Sequence, residues 1–176
     1  HLARHSPLPF HLSLEAALLD TGGGVKRALP ELGAAPFYAI NADAVWLDGY
    51  QPALIRMARF WNAATMDALL LIFETVRCQN YGGMGDFMSD PMGVLCRRGE
   101  REVAPFVYTG LQILHPRLFD ASPAGAFSLN WLYDRASAAG RLYGLVHDGD
   151  WLDAGTPENL QAARRMIEQV GRVVDC

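Results

Sequence analysis

The sequence predicts an α/β domain around a mostly parallel sheet, with a β-rich insertion in its middle. Three observations lead to this prediction. Continuous apolar runs, the clearest at 66–74, are typical of strands that are buried on both faces. These runs alternate with segments whose apolar residues recur at helical spacing. The 176 residues, 51% hydrophobic and 19% charged, also suit one domain with a substantial core, so we expect residues 1–176 to form a single domain.

The first third of the chain is predicted to alternate strands with helices. The predicted elements are an edge strand at 8–14, an irregular glycine-rich turn at 20–24, a helix at 25–32, a buried parallel strand at 36–40 and a helix around 54–61. Pro9 restricts the first strand to the edge of a sheet because proline has no N–H to donate. Gly33 follows the first helix at a position that suits a C-cap.

The remainder continues the alternation after a short hairpin. The predicted elements are strands at 66–74, 86–88, 94–96, 106–114 and 142–146, a helix after Ser128, an extended piece at 151–155 and a last helix from Pro157. Residues 90–93 (DPMG) have Pro at the second position, which is typical of a tight turn. Ser128 and Thr156 are predicted N-caps because their hydroxyls can accept from backbone N–H groups of the first helical turn.

Composition and charge exclude several classes of function. The net charge of −4 argues against nucleic acid as a partner, and no apolar segment is long enough for a bilayer span. Cys78, Cys96 and Cys176 are widely spaced and form no CxxC pair, which favours reduced thiols and a cytoplasmic protein. The five histidines show neither HExxH nor the spacing of a zinc site.

Three features would meet at the carboxyl ends of the strands, where open α/β sheets bind their ligands. Residues 21–24 (TGGG) precede a helix, whose first N–H groups favour anions or nucleobase carbonyls, although a plain tight turn explains the glycines equally well. Asp43 lies at the end of the predicted buried strand, and Asp153 lies on the extended piece just before the last helix. They could hold one Mg²⁺ together or simply cap the helices that follow, and their spacing alone does not decide between these alternatives.

Four segments, taken together, resemble the sugar-phosphate nucleotidyltransferases. The segments are 19–24 (LDTGGG), 39–43 (AINAD), 107–110 (VYTG) with His115-Pro116, and 151–158 (WLDAGTPE). The chain is most similar to the short bacterial branch of N-acetylmuramate-1-phosphate uridylyltransferases and mannose-1-phosphate guanylyltransferase-like enzymes. The resemblance extends from about residue 10 to residue 165.

The resemblance implies a Rossmann-like fold, a place in cell-wall metabolism and Mg²⁺-dependent nucleotidyl transfer from a nucleoside triphosphate to a sugar-1-phosphate. Such chemistry depends on positioning and charge neutralisation more than on a protein base. The resemblance also implies residue roles. Asp43 and Asp153 would be the catalytic metal ligands; Thr21, Gly22, Gly23, Gly24 and Asn41 would contact the nucleotide; and Gly85, Asp86, Thr109 and Gly110 would contact the sugar.

The sequence departs from the family pattern at three points. Ala42 stands where the family has glycine or serine, and Met84 stands where the central loop often has arginine. No segment before Thr21 resembles the family's N-terminal strand and triphosphate-binding glycine-rich loop, so we expect the sequence to be incomplete at its N-terminus.

Three functions are compatible with these observations. The first is the nucleotidyltransferase itself, and the second is a non-catalytic homologue that binds nucleotide sugars. The third is a glycosyltransferase that uses Asp43 as a metal ligand. Release of pyrophosphate separates the first function from the other two. The base, the sugar and the oligomeric state are not predicted.

Overall fold

The computed structural model describes residues 9–78 and 81–174, in which helices alternate with the strands of a mixed sheet. The helices are α1 (Asp20–Leu32), α2 (Ala53–Phe60), α3 (Leu129–Ala138) and α4 (Pro157–Val174), with short 3-10 helices at Thr75–Arg77 and Pro116–Phe119. The strands are β1 (Phe37–Ile40), β2 (Ala44–Leu47), β3 (Ala68–Glu74), β4 (Phe87–Ser89), β5 (Leu95–Arg97), β6 (Phe106–Leu114), β7 (Leu142–Val146) and β8 (Asp150–Asp153). Within these residues, no helix is both long and apolar enough to cross a bilayer.

The main sheet has the order β5-β4-β6-β3-β7, and β1 pairs with β6 outside this path. The predicted α/β class is confirmed, and so is the β-rich insertion, because the β4–β5 hairpin adds to this sheet. The predicted parallel arrangement is confirmed only for β3 and β7, since the other described pairings in the sheet are antiparallel. An apolar run indicates burial on both faces of a strand, but it carries no information about the direction of its neighbours.

Strand β3 lies at the centre of the core because alternate side chains enter two different hydrophobic clusters. Leu70 and Ile72 pack with α3, whereas Leu69 and Leu71 pack with α2 and β2. Residues 68–73 are all buried, which explains the continuous apolar run in the sequence. Helices therefore cover both faces of the strand, as in other layered α/β folds.

Two predictions for the first forty residues are wrong. Residues 9–14 form no strand, and Leu8 lies outside the described residues. The strand at 36–40 corresponds to β1, but β1 pairs antiparallel with β6 and is only half-buried, with Ile40 47% exposed. Both segments are short, and neither carries a pattern that distinguishes a buried strand from an edge strand or an irregular segment.

The glycine-rich segment is also different from its prediction, because it forms the first turns of α1 instead of an irregular turn. The N–H groups of Gly22 and Gly23 donate to the carbonyl oxygen of Phe127, over 2.8 and 3.1 Å. A Cβ on Gly22 would meet the Phe127 ring, and one on Gly23 would meet the carbonyl oxygen of Gly125. The glycines thus allow α1 to approach residues 125–127 closely.

The predicted caps are confirmed. The hydroxyl of Ser128 accepts the Asn130 N–H at the start of α3, and the hydroxyl of Thr156 accepts the Asn159 N–H near the start of α4. Gly33 ends α1 with a φ of 80° and donates to the Leu29 carbonyl. The turn at 90–93 closes the β4–β5 hairpin, with the Gly93 N–H donating to the Asp90 carbonyl.

We expect Gly22→Ala to destabilise the protein. In an unobstructed helix this change would stabilise by about 1 kcal/mol, because alanine has the higher helix propensity. Here the added Cβ would lie 2.8 Å from the Phe127 carbonyl oxygen, which two hydrogen bonds hold in place. Overpacking costs up to about 3 kcal/mol, and a contact this close belongs at the upper end; after the gain in helix propensity, the free energy of unfolding should fall by about 1–2 kcal/mol in urea titrations.

Gly82→Ala is the matched control, because a Cβ there meets no described atom within 4 Å. Its free energy of unfolding should stay within about 0.5 kcal/mol of the parent value. An unchanged urea midpoint for Gly22→Ala would show that residues 125–127 can move away from α1.

Candidate functional site

A bulge in β6 organises the site. Leu70 pairs with Gln112 and Ile72 with Tyr108, so three residues of β6 lie opposite Leu71 alone. The Thr109 hydroxyl is buried and donates to the Leu71 carbonyl over 2.8 Å. Gly110 has a φ of 89°, in the left-handed region that favours glycine.

Two carbonyl groups of the bulge bond to neighbouring elements. The Gly110 oxygen accepts the Asn41 N–H over 2.8 Å, and the Thr109 oxygen accepts the indole N–H of Trp151, also over 2.8 Å. A Cβ on Gly110 would lie 3.0 Å from the Cβ of Asn41, so the chains approach closely there. The end of β1 and strand β8 are therefore both attached to the same point of β6.

Asp43 and Asp153 are brought together by a small second sheet in which β2 and β8 pair antiparallel, with Ala44 opposite Asp153. The Asp43 carbonyl accepts the Ala154 N–H over 2.8 Å. A Cβ on Gly155 would lie 3.0 Å from Asp153 Oδ1 and 3.5 Å from Asp43 Oδ2, so both carboxylates face the same small volume. Both side chains are exposed and open to a ligand.

A cleft of about 210 Å³, here called the central cleft, lies beside these carboxylates. Six residues predicted from the sequence line it: Asn41, Asp43, Asp86, Thr109, Gly110 and Asp153. Tyr81, Tyr108 and Trp151 complete much of its wall. The structure thus assembles most of the predicted metal and sugar residues in one place, and their roles stay predictions.

Gly85 supports the central cleft without lining it. Its φ is 75°, and a Cβ there would collide with the Ala104 backbone. Its N–H donates to the Tyr81 hydroxyl over 3.1 Å, and the next residue, Asp86, accepts the Tyr108 N–H over 2.9 Å. Gly85 therefore fixes the turn that presents Asp86 to the cleft.

A second, larger cavity of about 750 Å³ lies on the other side of Asn41, which lines both spaces. We call it the apolar cavity, because Val25, Ile40 and Leu129 form much of its wall. Of the predicted nucleotide residues, Thr21, Gly24 and Asn41 line it. Gly22 and Gly23 face residues 125–127 instead, and their N–H groups are already bonded.

A third cavity of about 270 Å³, the arginine cavity, shares Asp86 and Tyr108 with the central cleft. Arg97 and Arg98 line it, and both belong to a charge-rich segment at 97–102 (RRGERE). Arg98 donates to the Gly85 carbonyl over 2.7 Å. A charge-rich segment gives no sign of a cavity by itself, because this wall forms only when β5 pairs with β4.

Burial and the negative charge of Asp86 raise the pKa of the Cys78 thiol to about 11. The hydroxyl of Tyr81 also has a raised pKa, with burial as the main cause and the Asp86 charge as the second. The Cys78 thiol and the Tyr81 hydroxyl therefore stay protonated at neutral pH. Within residues 9–78 and 81–174 no group of three or more His, Cys, Asp or Glu side chains is placed to hold a metal ion.

The chain is similar in sequence to two curated proteins named N-acetylmuramate alpha-1-phosphate uridylyltransferase. The protein from Caulobacter vibrioides is 34% identical over 151 residues, and that from Neisseria meningitidis serogroup B is 27% identical over 157 residues. The alignments cover 85% and 84% of this chain, and the chain spans 62% of the length of each relative. No protein-family model matches the chain.

Solved structures are similar in fold. HddC from Yersinia pseudotuberculosis, complexed with GMP-PN, superposes with a TM-score of 0.70 and 18% identity, over 94% of this chain and 71% of that one. UDP-glucose pyrophosphorylase, complexed with UDP-glucose, has a TM-score of 0.67 and 15% identity, over 87% and 64%. Together with the sequence relatives, these structures confirm the predicted resemblance to sugar-phosphate nucleotidyltransferases and the fold class.

Iodoacetamide at pH 8 should modify Cys96 and leave Cys78 almost unmodified. Cys96 is exposed, whereas the Cys78 thiol is partly buried and its pKa is about 11. Only about one Cys78 thiol in a thousand is then a thiolate at pH 8, and the thiolate is the reactive form. Modification of Cys78, measured by peptide mass spectrometry, should rise about tenfold per pH unit until the pH reaches the pKa.

Asp86→Asn provides the matched variant, since it removes the negative charge that helps to raise this pKa. Cys78 should then react faster at pH 8, while the rate at Cys96 stays the same. Equal modification of the two cysteines at pH 8 in the parent protein would contradict the raised pKa.

Proposed function

We propose that this chain, which is related in sequence and in fold to sugar-phosphate nucleotidyltransferases, provides the metal and acceptor sites of such an enzyme. The reaction would join a sugar-1-phosphate to the nucleotidyl group of a nucleoside triphosphate. The observation that carries the proposal is the convergence of Asp43 and Asp153 beside a cleft that adjoins a cavity on each side. Three adjoining spaces suit a base with its ribose, a reacting phosphate and an anionic sugar.

Each space suits one part of the substrates by its chemistry. The apolar cavity, with Val25, Ile40 and Leu129, suits the flat faces of a nucleobase. The arginine cavity contains Arg97 and Arg98, whose guanidinium groups suit the phosphate and hydroxyl groups of a sugar-1-phosphate. The central cleft lies between them, where the phosphate groups of both substrates would meet.

The two carboxylates suit Mg²⁺ through their donor chemistry. This ion prefers oxygen ligands, keeps several waters and is usually bound by one or two carboxylates plus substrate phosphates. A pair of aspartates without a third protein ligand therefore fits an ion that the substrates help to bind. When bound, Mg²⁺ neutralises negative charge on the phosphate oxygens. Asp43 and Asp153 would hold it, and β2 and β8 keep the two side chains in register.

The transfer itself needs no protein base. A phosphate oxygen of the sugar-1-phosphate is already ionised at neutral pH, and it forms the new bond to the α-phosphorus. The bond between the α-phosphorus and the bridging oxygen to the β-phosphate breaks, and pyrophosphate leaves with the electron pair. The residues of this chain thus have to orient two phosphate groups in line, and rigid attachment of both carboxylates to β6 suits that task.

UTP and N-acetylmuramate 1-phosphate are the first substrate pair to test, because the curated relatives are named for that reaction. We place this activity in the cytoplasm and in cell-wall metabolism. Release of pyrophosphate that depends on both substrates and on Mg²⁺ would support the proposal. Binding of a nucleotide sugar without pyrophosphate release, with a folded protein and a panel of triphosphates, would favour the non-catalytic function instead.

Asp43→Asn and Asp153→Asn should each lower kcat by about a hundredfold or more, with little change in melting temperature. Each variant removes one of the two carboxylate charges that would hold Mg²⁺. Losing the charge stabilisation that the ion supplies would raise the free energy of the transition state by several kcal/mol. Both side chains are exposed, and an asparagine at position 153 can still accept the Gly155 N–H. Pyrophosphate release and thermal unfolding, measured on the same samples, test both expectations.

Asp120→Asn is the matched control, because this carboxylate is exposed and lines none of the three cavities. Its kcat should stay within about twofold of the parent value. Activity retained in either of the first two variants would remove that aspartate from the metal site.

A further inference from the structure

A buried polar bridge joins the apolar cavity to the arginine cavity. Gln112 of β6 lines the apolar cavity, whereas Tyr133 of α3 lines the arginine cavity. The Tyr133 hydroxyl donates a hydrogen bond of 2.6 Å to Gln112 Oε1. Gln112 is 1% exposed and Tyr133 is 3% exposed, so one buried hydrogen bond connects the walls of two separate cavities.

Tyr108 extends this bridge to the central cleft. Its ring lines both the arginine cavity and the central cleft, and it meets the Tyr133 ring edge-on with centroids 6.2 Å apart. The Tyr108 hydroxyl is buried beside the side chains of Tyr133 and Gln112, and it has no well-aligned hydrogen bond to either of them or to any other described residue. Buried hydroxyl groups normally have partners, and the Tyr133 oxygen lies near enough to become the partner of this one after a small adjustment of the Tyr108 side chain.

The three side chains have complementary hydrogen-bonding capacity. Tyr133 uses its proton on Gln112, and its oxygen can still accept a bond from the Tyr108 hydroxyl. Burial raises the pKa of both tyrosines, so both hydroxyls stay protonated near neutral pH. The bond from Tyr133 takes up the carbonyl oxygen of the Gln112 amide, and the NH₂ group remains as the donor for an occupant of the apolar cavity.

On the basis of the proposed function, we infer that Gln112, Tyr133 and Tyr108 couple the two substrate cavities. A nucleotide that accepts from the Gln112 amide, through a base carbonyl or a ribose oxygen, fixes that amide and with it the Tyr133 hydroxyl. Tyr108 then completes the chain by donating to Tyr133, which sets its ring against the sugar-phosphate. Each substrate therefore binds more tightly when the other is present, and the coupling is reciprocal.

Calorimetric titration of the protein as its gene encodes it tests this inference. The probe is a UTP analogue with a methylene group between the α- and β-phosphorus, in Mg²⁺, with and without saturating N-acetylmuramate 1-phosphate. In the parent protein, N-acetylmuramate 1-phosphate should lower the Kd of the analogue about fivefold or more. A fivefold change is about the lower end of the typical range for coupled binding sites. In Tyr133→Phe the two Kd values should agree within about twofold.

Tyr143→Phe is the matched control, since it removes a hydroxyl from β7 and lines none of the three cavities. Its coupling should equal that of the parent protein. If Tyr133→Phe unfolds, Tyr108→Phe makes the same test, because this change leaves the Tyr133–Gln112 hydrogen bond in place. Coupling should be lost there as well, with each ligand alone still binding.

The outcomes separate the inference from the proposed function. The inference is overturned if both ligands bind the parent protein without coupling, or if the coupling is unchanged in the variants. Either result leaves the proposed function standing. If neither ligand binds the folded parent protein and no nucleoside triphosphate of a panel replaces UTP, the proposed function fails and the inference fails with it. Lost coupling in the variants, with retained coupling in Tyr143→Phe, is the result we expect.

Discussion

The geometry of the site depends on the β6 bulge. The bulge leaves the Thr109 carbonyl to accept the indole N–H of Trp151, whereas the Gly110 carbonyl accepts the Asn41 N–H in continuation of the β1–β6 pairing. These two bonds attach β8 and the end of β1 to the centre of the main sheet. Each of those elements leads directly to one carboxylate, so the bulge anchors to the main sheet the two segments that the β2–β8 pairing brings together.

The glycine-rich segment packs closely against a neighbouring part of the chain and does not form a binding loop. The first turn of α1 is held against residues 125–127 by backbone bonds to Phe127, and the absence of side chains on Gly22 and Gly23 permits that distance. Thr21 contributes to the same contact by accepting the Leu129 N–H. The helix thereby positions Gly24 and the wall of the apolar cavity instead of offering all of its N–H groups to a ligand.

The elements that were predicted correctly are those whose own residues show a strong pattern. Strands β6 and β7 were predicted with their observed bounds, because long apolar runs bounded by turn residues leave little choice. Strand β2 was missed, since its four half-buried residues show neither alternation nor a continuous buried run. The direction of each strand, and the position of Arg97 and Arg98 in a cavity wall, depend on which segments pack together. A single sequence does not contain that information. Asp43 and Asp153 were identified from their positions in or at the end of extended segments, but their convergence needed the pairing of β2 with β8.

That pairing has a consequence for the order in which the protein is made. Ala44 and Asp153 are partners in the small sheet although more than a hundred residues separate them in the chain. Contacts between such distant segments form late, and a ribosome adding roughly 5–20 residues per second exposes β2 several seconds before β8 exists. During that interval β2 has no strand to pair with among the described residues, and its apolar side chains need protection from other chains. The two facing carboxylates are thus among the last features of the nascent protein to assemble, so a chain interrupted before β8 can have much of its core and still lack one of them.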